Sequence, residues 1–263
     1  MRELLSAAAA VLCAWSTVRA QAGDGPTQRA LTISLGVAQE TRRDDTDSPL
    51  AYSGAGPAGQ IAFDWTRAAR HGYVSLSASE ATITPRVSPA EADVPPEEAF
   101  NSYAFEAGMD WRFRGGSARA GEFALGAEFG ATFTLARHMY AGQDLSQQNF
   151  DLGVATLGPV ARWTRRVGAG DFTASLGVPL IAFVDHPYAD VRYATQLMNI
   201  HFVPLSQFHQ ANAGLSYAFR PESRIGVTAT YRVGIMELDD LEPVRRVAQS
   251  LSVGVVKRFG ARP

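Results

Sequence analysis

Cysteine is all but absent from this chain. The one residue, Cys13, sits in an N-terminal apolar stretch and follows Leu12, where a lipoprotein signal wants a small residue. Beyond it there is no disulfide to form, no thiolate nucleophile and no sulfur ligand for a metal. Lysine is equally scarce: Lys257 is the only one, and arginine carries the remaining positive charge. The formal net charge of −2 gives nucleic acid no reason to bind. Downstream of the N-terminus no unbroken apolar run reaches the ~18 residues a membrane helix needs. Catalytic signatures are missing too. No serine lies in a Gly-x-Ser-x-Gly elbow, and His138, His201 and His209 have no metal-ligand spacing. Neither a metal site nor a cofactor is expected.

What is present begins at the N-terminus. Met1 and Arg2 are followed by an apolar stretch from Leu4 to Trp15 and by small residues around Val18, Ala20 and Ala22. That order is a secretory signal peptide. Cleavage after Ala20 and after Ala22 fit equally well, and the chain is divided at 1–22 and 23–263. Export without a helical anchor leaves three destinations: periplasm, medium or outer membrane.

The rest of the chain has a rhythm. Short links at Ala68–Gly72, Gly115–Ala120, Val167–Gly170 and Pro221–Ser223 alternate with long ones. The long links run through Arg43–Ala58, Pro85–Ala99, His138–Asn149, Asp185–Gln207 and Met236–Arg246. Between them lie ten candidate strands, near 29–42, 59–68, 72–84, 100–114, 121–137, 150–166, 171–184, 208–220, 224–236 and 246–259. Short turns on one rim and long loops on the other suit a chain that crosses a bilayer back and forth.

The strands alternate with period two. Tyr103, Phe105, Met109, Trp111 and Phe113 share one face; Glu106, Gly108, Asp110 and Arg112 share the other. Phe123, Leu125 and Phe129 face away from Gly126, Glu128 and Thr132, and Val227 and Tyr231 away from Thr228 and Arg232. Such runs exceed the ~5–6 residues of globular strands and suffice for the ~9–11 of a tilted membrane strand. The second face is mostly Gly, Ala, Ser and Thr, which suits a crowded interior, whereas Leu, Val and Phe suit lipid. Gly158-Pro159 interrupts the sixth strand, and a bulge or register change is expected there. Aromatics collect at the short-turn rim: Trp65, Tyr73, Trp111, Phe113, Trp163, Phe219 and Phe259. Rings with a polar edge favour the membrane interface, and these seven are assigned to it.

In these features the chain resembles the bacterial outer-membrane β-barrels. Its last strand, Leu251–Phe259, resembles their C-terminal assembly signal, with Ser252, Gly254 and Phe259 at matching positions. Lys257 stands where an apolar residue is usual, and Gly260–Pro263 trail beyond the usual end. The resemblance implies an all-β fold, one closed antiparallel transmembrane barrel of about ten strands, with eight or twelve as alternatives. It also implies residence in the cell outer membrane, contact with its lipids and dependence on barrel-assembly machinery.

Charge divides between the rims. The long loops are acidic (Asp44, Asp45, Asp47, Glu91, Asp93, Glu97, Glu98, Glu237, Asp239, Asp240, Glu242), which suits solubility or divalent cations. The short-turn side is basic (Arg67, Arg70, Arg112, Arg114, Arg119, Arg165, Arg166, Arg220, Arg224, Lys257, Arg258), which suits anionic headgroups. Six charges fall on the face assigned to the interior: Asp64, Glu106, Asp110, Arg112, Glu128 and Arg232. They form either a structural ion-pair network or the lining of a narrow pore. The functional expectation is a non-enzymatic barrel with a structural, surface or narrow-pore role. Two alternatives stand beside it. A hydrolase at the extracellular rim would use Asp185-His186 with Asp239-Asp240, a His–Asp pair beside a carboxylate pair being able to activate water. A soluble exported barrel would bind a small apolar ligand.

Overall fold

A computed structural model describes residues 27–44, 48–85, 97–114, 121–140, 143–144, 149–185, 200–239 and 243–260. The N-terminal segment read as a signal peptide lies outside them. The strands are β1 (Thr27–Asp44), β2 (Ser48–Arg67), β3 (Arg70–Pro85), β4 (Glu97–Arg114), β5 (Glu122–Tyr140), β6 (Gln143–Asp144) and β7 (Asn149–Val167). They continue with β8 (Gly170–Gly177), β9 (Ile181–Asp185), β10 (His201–Val203), β11 (Phe208–Phe219), β12 (Ile225–Leu238) and β13 (Val244–Phe259). Strands β8 and β9 form one stave of the wall and β10 and β11 another; β6 is a two-residue return paired antiparallel with the end of β5. Ten antiparallel staves result. Strand β1 pairs with β2 on one side and with β13 on the other, from Arg29↔Phe259 to Asp44↔Val244, and β5 pairs with β7, so the sheet closes on itself. The chain is a ten-stranded closed β-barrel.

Residue faces follow the period-two pattern. Ile33, Leu35, Val37, Leu76, Leu125 (46% exposed), Val227 (45%), Val253 and Val255 point outward, while Ser34, Ser75, Asp110 and Thr228 are buried against the interior. Such a belt around the whole wall is untenable in water, where large exposed apolar patches are rare. In lipid the same side chains are in their own solvent.

The strands run further than their hydrophobic patterning suggests. Much of the link expected at Arg43–Ala58 belongs to β2, whose Gly54-Ala55-Gly56 carries no apolar alternation but pairs with β1 throughout. The irregularity expected at Gly158-Pro159 falls on the neighbouring stave. Strand β7 passes through unbroken, and Val178–Leu180 separate β8 from β9 opposite those two residues. The Val178 N–H donates to the Pro159 carbonyl (3.1 Å) and the Leu180 N–H to that of Leu157 (2.9 Å). One extra residue is thereby absorbed as a bulge. A Cβ at Gly158 would collide with the Val178 carbonyl, so glycine is needed for that approach.

Within the segment Asp185–Gln207, His201–Val203 returns along Ala182–Val184, which makes a hairpin extension of the wall.

Candidate functional site

The lumen is where the polar chemistry collects, and it is layered. Near the short-turn rim His71 lies between two carboxylates. Its Nδ1 is 3.1 Å from Asp110 and its Nε2 3.4 Å from Asp64. Arg162 reaches Asp110 at 3.3 Å and lays its guanidinium over the Tyr73 ring, 4.0 Å from the centroid. The Tyr73 hydroxyl donates to Glu128. Beside them Arg112 approaches Glu122 at 3.7 Å and donates to Thr66.

At mid-height Arg232 on β12 meets Glu106 on β4 at 2.8 Å, and Ser75 donates to the same carboxylate at 3.0 Å. These staves are five apart in either direction, so the pair crosses the full lumen. Around it lies a cavity of about 420 Å³ lined largely by small residues, among them Ser34, Ser77, Thr230 and Ser250.

Higher still, Arg246 bridges to Glu40 (2.8 Å) and donates across to Ser102 (2.9 Å) and Thr134 (3.5 Å). Arg42 covers Phe100 at 5.1 Å. Two buried apolar clusters occupy this half: Tyr52, Ala81, Ile83 and Phe100 in one, and a larger group around Leu152, Val184, Phe208 and Leu238 in the other. Desolvating charge is costly unless each ion finds a partner and further hydrogen bonds. Each of these charges has a partner, while among the described residues Glu40 Oε1 and the Nε atoms of Arg162 and Arg246 are buried without a hydrogen bond.

Of the six charges read from the sequence as interior, Asp64, Glu106, Glu128 and Arg232 line the cavity, Asp110 is buried beside His71 and Arg112 turns to Glu122; Glu106 and Arg232 come together. His71, Arg162, Glu40 and Arg246 complete the network and were not among the six. Arg162 carries a readable signal: it keeps the phase of Thr156, Gly158 and Val160, which the Gly158-Pro159 interruption hides.

Six of the seven rim aromatics point outward. Trp111, Phe113, Phe219 and Phe259 are exposed; Trp65 packs on Phe63 (6.0 Å) and Trp163 sits edge-on to Phe172 (6.2 Å). Tyr73 is the correction. It is 6% exposed and turned into the lumen, because it stands opposite inward Asp64 and in phase with Ser75 and Ser77. The rim pair of acidic fragments is not assembled in the described residues. Asp185 ends β9, and the Asp239 N–H donates to the Gln207 carbonyl (2.7 Å). His186 and Asp240 lie outside the described residues. Among the acidic-loop residues Glu237 pairs with Arg245 at 2.8 Å, and no three metal-ligating side chains converge among the described residues.

No protein-family profile matches the chain, and no curated protein matches its sequence. Solved structures do. The outer membrane protease OmpT of Escherichia coli aligns with a TM-score of 0.52 at 7% identity, over 89% of this chain and 97% of that one. Neisserial surface protein A follows with a TM-score of 0.38 at 11% identity, over 88% and 99%. The attachment invasion locus protein Ail of Yersinia pestis has a TM-score of 0.37 at 15% identity, over 90% and 100%. At such identities only the fold is shared. That fold is the outer-membrane type of β-barrel.

Proposed function

We propose that this chain is exported, resides in the outer membrane and acts there as a plugged, non-enzymatic scaffold that presents its long-loop rim at the cell surface. The observation that carries the reading is the Glu106–Arg232 bridge across the whole lumen. The Glu40–Arg246 pair and the apolar clusters above it reinforce the closure. A diffusion pore needs a continuous aqueous path, and narrow barrels are ordinarily filled by side chains instead. The outward apolar belt and the outward rim aromatics support the membrane location.

The cavity of about 420 Å³ favours a second reading, a narrow pore that conducts when the bridge parts. Planar-bilayer recording of the refolded protein separates the two. Silence at moderate voltage supports the scaffold; regular discrete steps in the unaltered protein support the pore. Fractionation tests the location, since a soluble barrel is released with the periplasm without detergent.

A further inference from the structure

The basic residues at the short-turn rim differ in the face they occupy and in their partners. Arg112 and Arg162 turn inward and are paired. Arg166 is held by Asp171 (3.4 Å) and Glu222 (3.0 Å). Four others share the outer face of contiguous staves: Lys257 on β13, Arg29 on β1, Arg67 on β2 and Arg70 on β3. Arg29 is flanked by Phe259 on one side and Trp65 on the other; Arg67 stands directly opposite Arg70, and Arg70 opposite Trp111. Among the described residues none of the four has a carboxylate partner.

Like charges directly opposite on one face of a sheet repel. Arg67 and Arg70 are such a pair, and Arg29 and Lys257 add charge beside them. The patch is continuous with the apolar belt through Leu31 and Phe63, which lie in register with Lys257. A Cβ at Gly72 would collide with the Trp65 indole, so the ring lies flat over that glycine between Arg29 and Arg70. An occupant must therefore be anionic at one end and apolar at the other, and must reach the patch from the bilayer. We infer that these four cations and the two tryptophans form a headgroup site for an anionic phospholipid of the periplasm-facing leaflet. The inference rests on the outer-membrane reading, with the short turns on the periplasmic side.

The test uses the full chain carrying Trp15→Phe and Trp163→Phe, which leaves Trp65 and Trp111 as reporters. It is refolded into phosphatidylcholine vesicles containing a minor fraction of dibrominated lipid, either phosphatidylglycerol or phosphatidylcholine. Half-maximal tryptophan quenching is expected at a roughly fivefold lower fraction of the phosphatidylglycerol, the factor one cation near an anionic surface supplies. The preference should vanish in Arg29→Gln/Arg67→Gln/Arg70→Gln/Lys257→Gln and persist in Arg165→Gln/Arg220→Gln. Equal quenching by the two lipids, a preference that survives the fourfold change, or equal loss in the control overturns the site. If the fourfold variant loses its heat-dependent gel shift, Arg70→Gln is read instead, with a drop of about twofold or more expected and no drop counting against the site. Absence of quenching by either lipid, together with no gel shift, overturns the membrane reading itself.

Discussion

Glu106 and Arg232 stand on opposite walls of the barrel and meet at 2.8 Å across its width. The contact bridges the lumen at mid-height. Shortening Arg232 to alanine removes the bar and leaves Glu106 facing the cavity with only the Ser75 hydroxyl donating to it. In bilayers that variant is expected to pass small cations where the unaltered protein is silent. An unchanged silence would place the seal in the apolar clusters instead.

A second pair tests stability. Glu40 is buried and Arg246 largely so, at 6% and 12% side-chain exposure, and Arg246 also holds Ser102. Glu40→Ala leaves a guanidinium enclosed without its carboxylate, at an expected cost of about 3–5 kcal/mol. Glu40→Leu/Arg246→Met should recover most of that loss. Urea titration of the refolded barrel, followed by tryptophan emission, measures both.

Tyr73 separates the lumen from the membrane interface experimentally. Tyr73→Phe deprives Glu128 of its hydroxyl donor and should destabilise the barrel by about 1–3 kcal/mol. It should leave quenching of the tryptophans by brominated lipid unchanged. Trp111→Ala, altering an outward ring, should instead reduce that quenching.

One acid-sensitive contact lies outside the wall. Glu222, in the turn after β11, accepts from the Arg166 guanidinium at the end of β7, which holds its carboxyl below the usual carboxylate range. A lowered folded-state value means the contribution is present above the ordinary value of 4.5 and lost as pH falls through the lower one. Both groups are open to solvent, so salt should screen the contact. Comparing unaltered protein with Glu222→Gln from pH 7 to 3 should show a small gap that closes on acidification and in high salt.

The fold was legible because lipid imposes a strict rule on the middle of each strand. Leu125 and Val227 alternate with Gly126 and Thr228, and the pattern reads directly as outside and inside. Above the belt the rule changes. On β7, Leu152 and Val154 turn inward while Gly153 and Ala155 face out, so patterning tuned to the bilayer misses the apolar half of the lumen. Tyr73 failed for a different reason. It was assigned by its height along the strand, whereas its phase with Ser75 and Ser77 decides its face. The charge network was half legible, since face can be read from phase but partners across the barrel depend on closure. Arg246 and Thr134 are in contact at 3.5 Å, yet more than a hundred positions separate them in sequence.

The absence of cysteine beyond the N-terminal apolar segment permits a direct test of orientation. Single cysteines at Leu125, Val227, Ser75 and Thr228, in a Cys13→Ala background, are labelled with a bimane fluorophore after refolding into vesicles of brominated lipid. Strong quenching at 125 and 227 and weak quenching at 75 and 228 is the result this account requires. The reverse order, with 125 and 227 shielded from lipid inside the molecule, would contradict it.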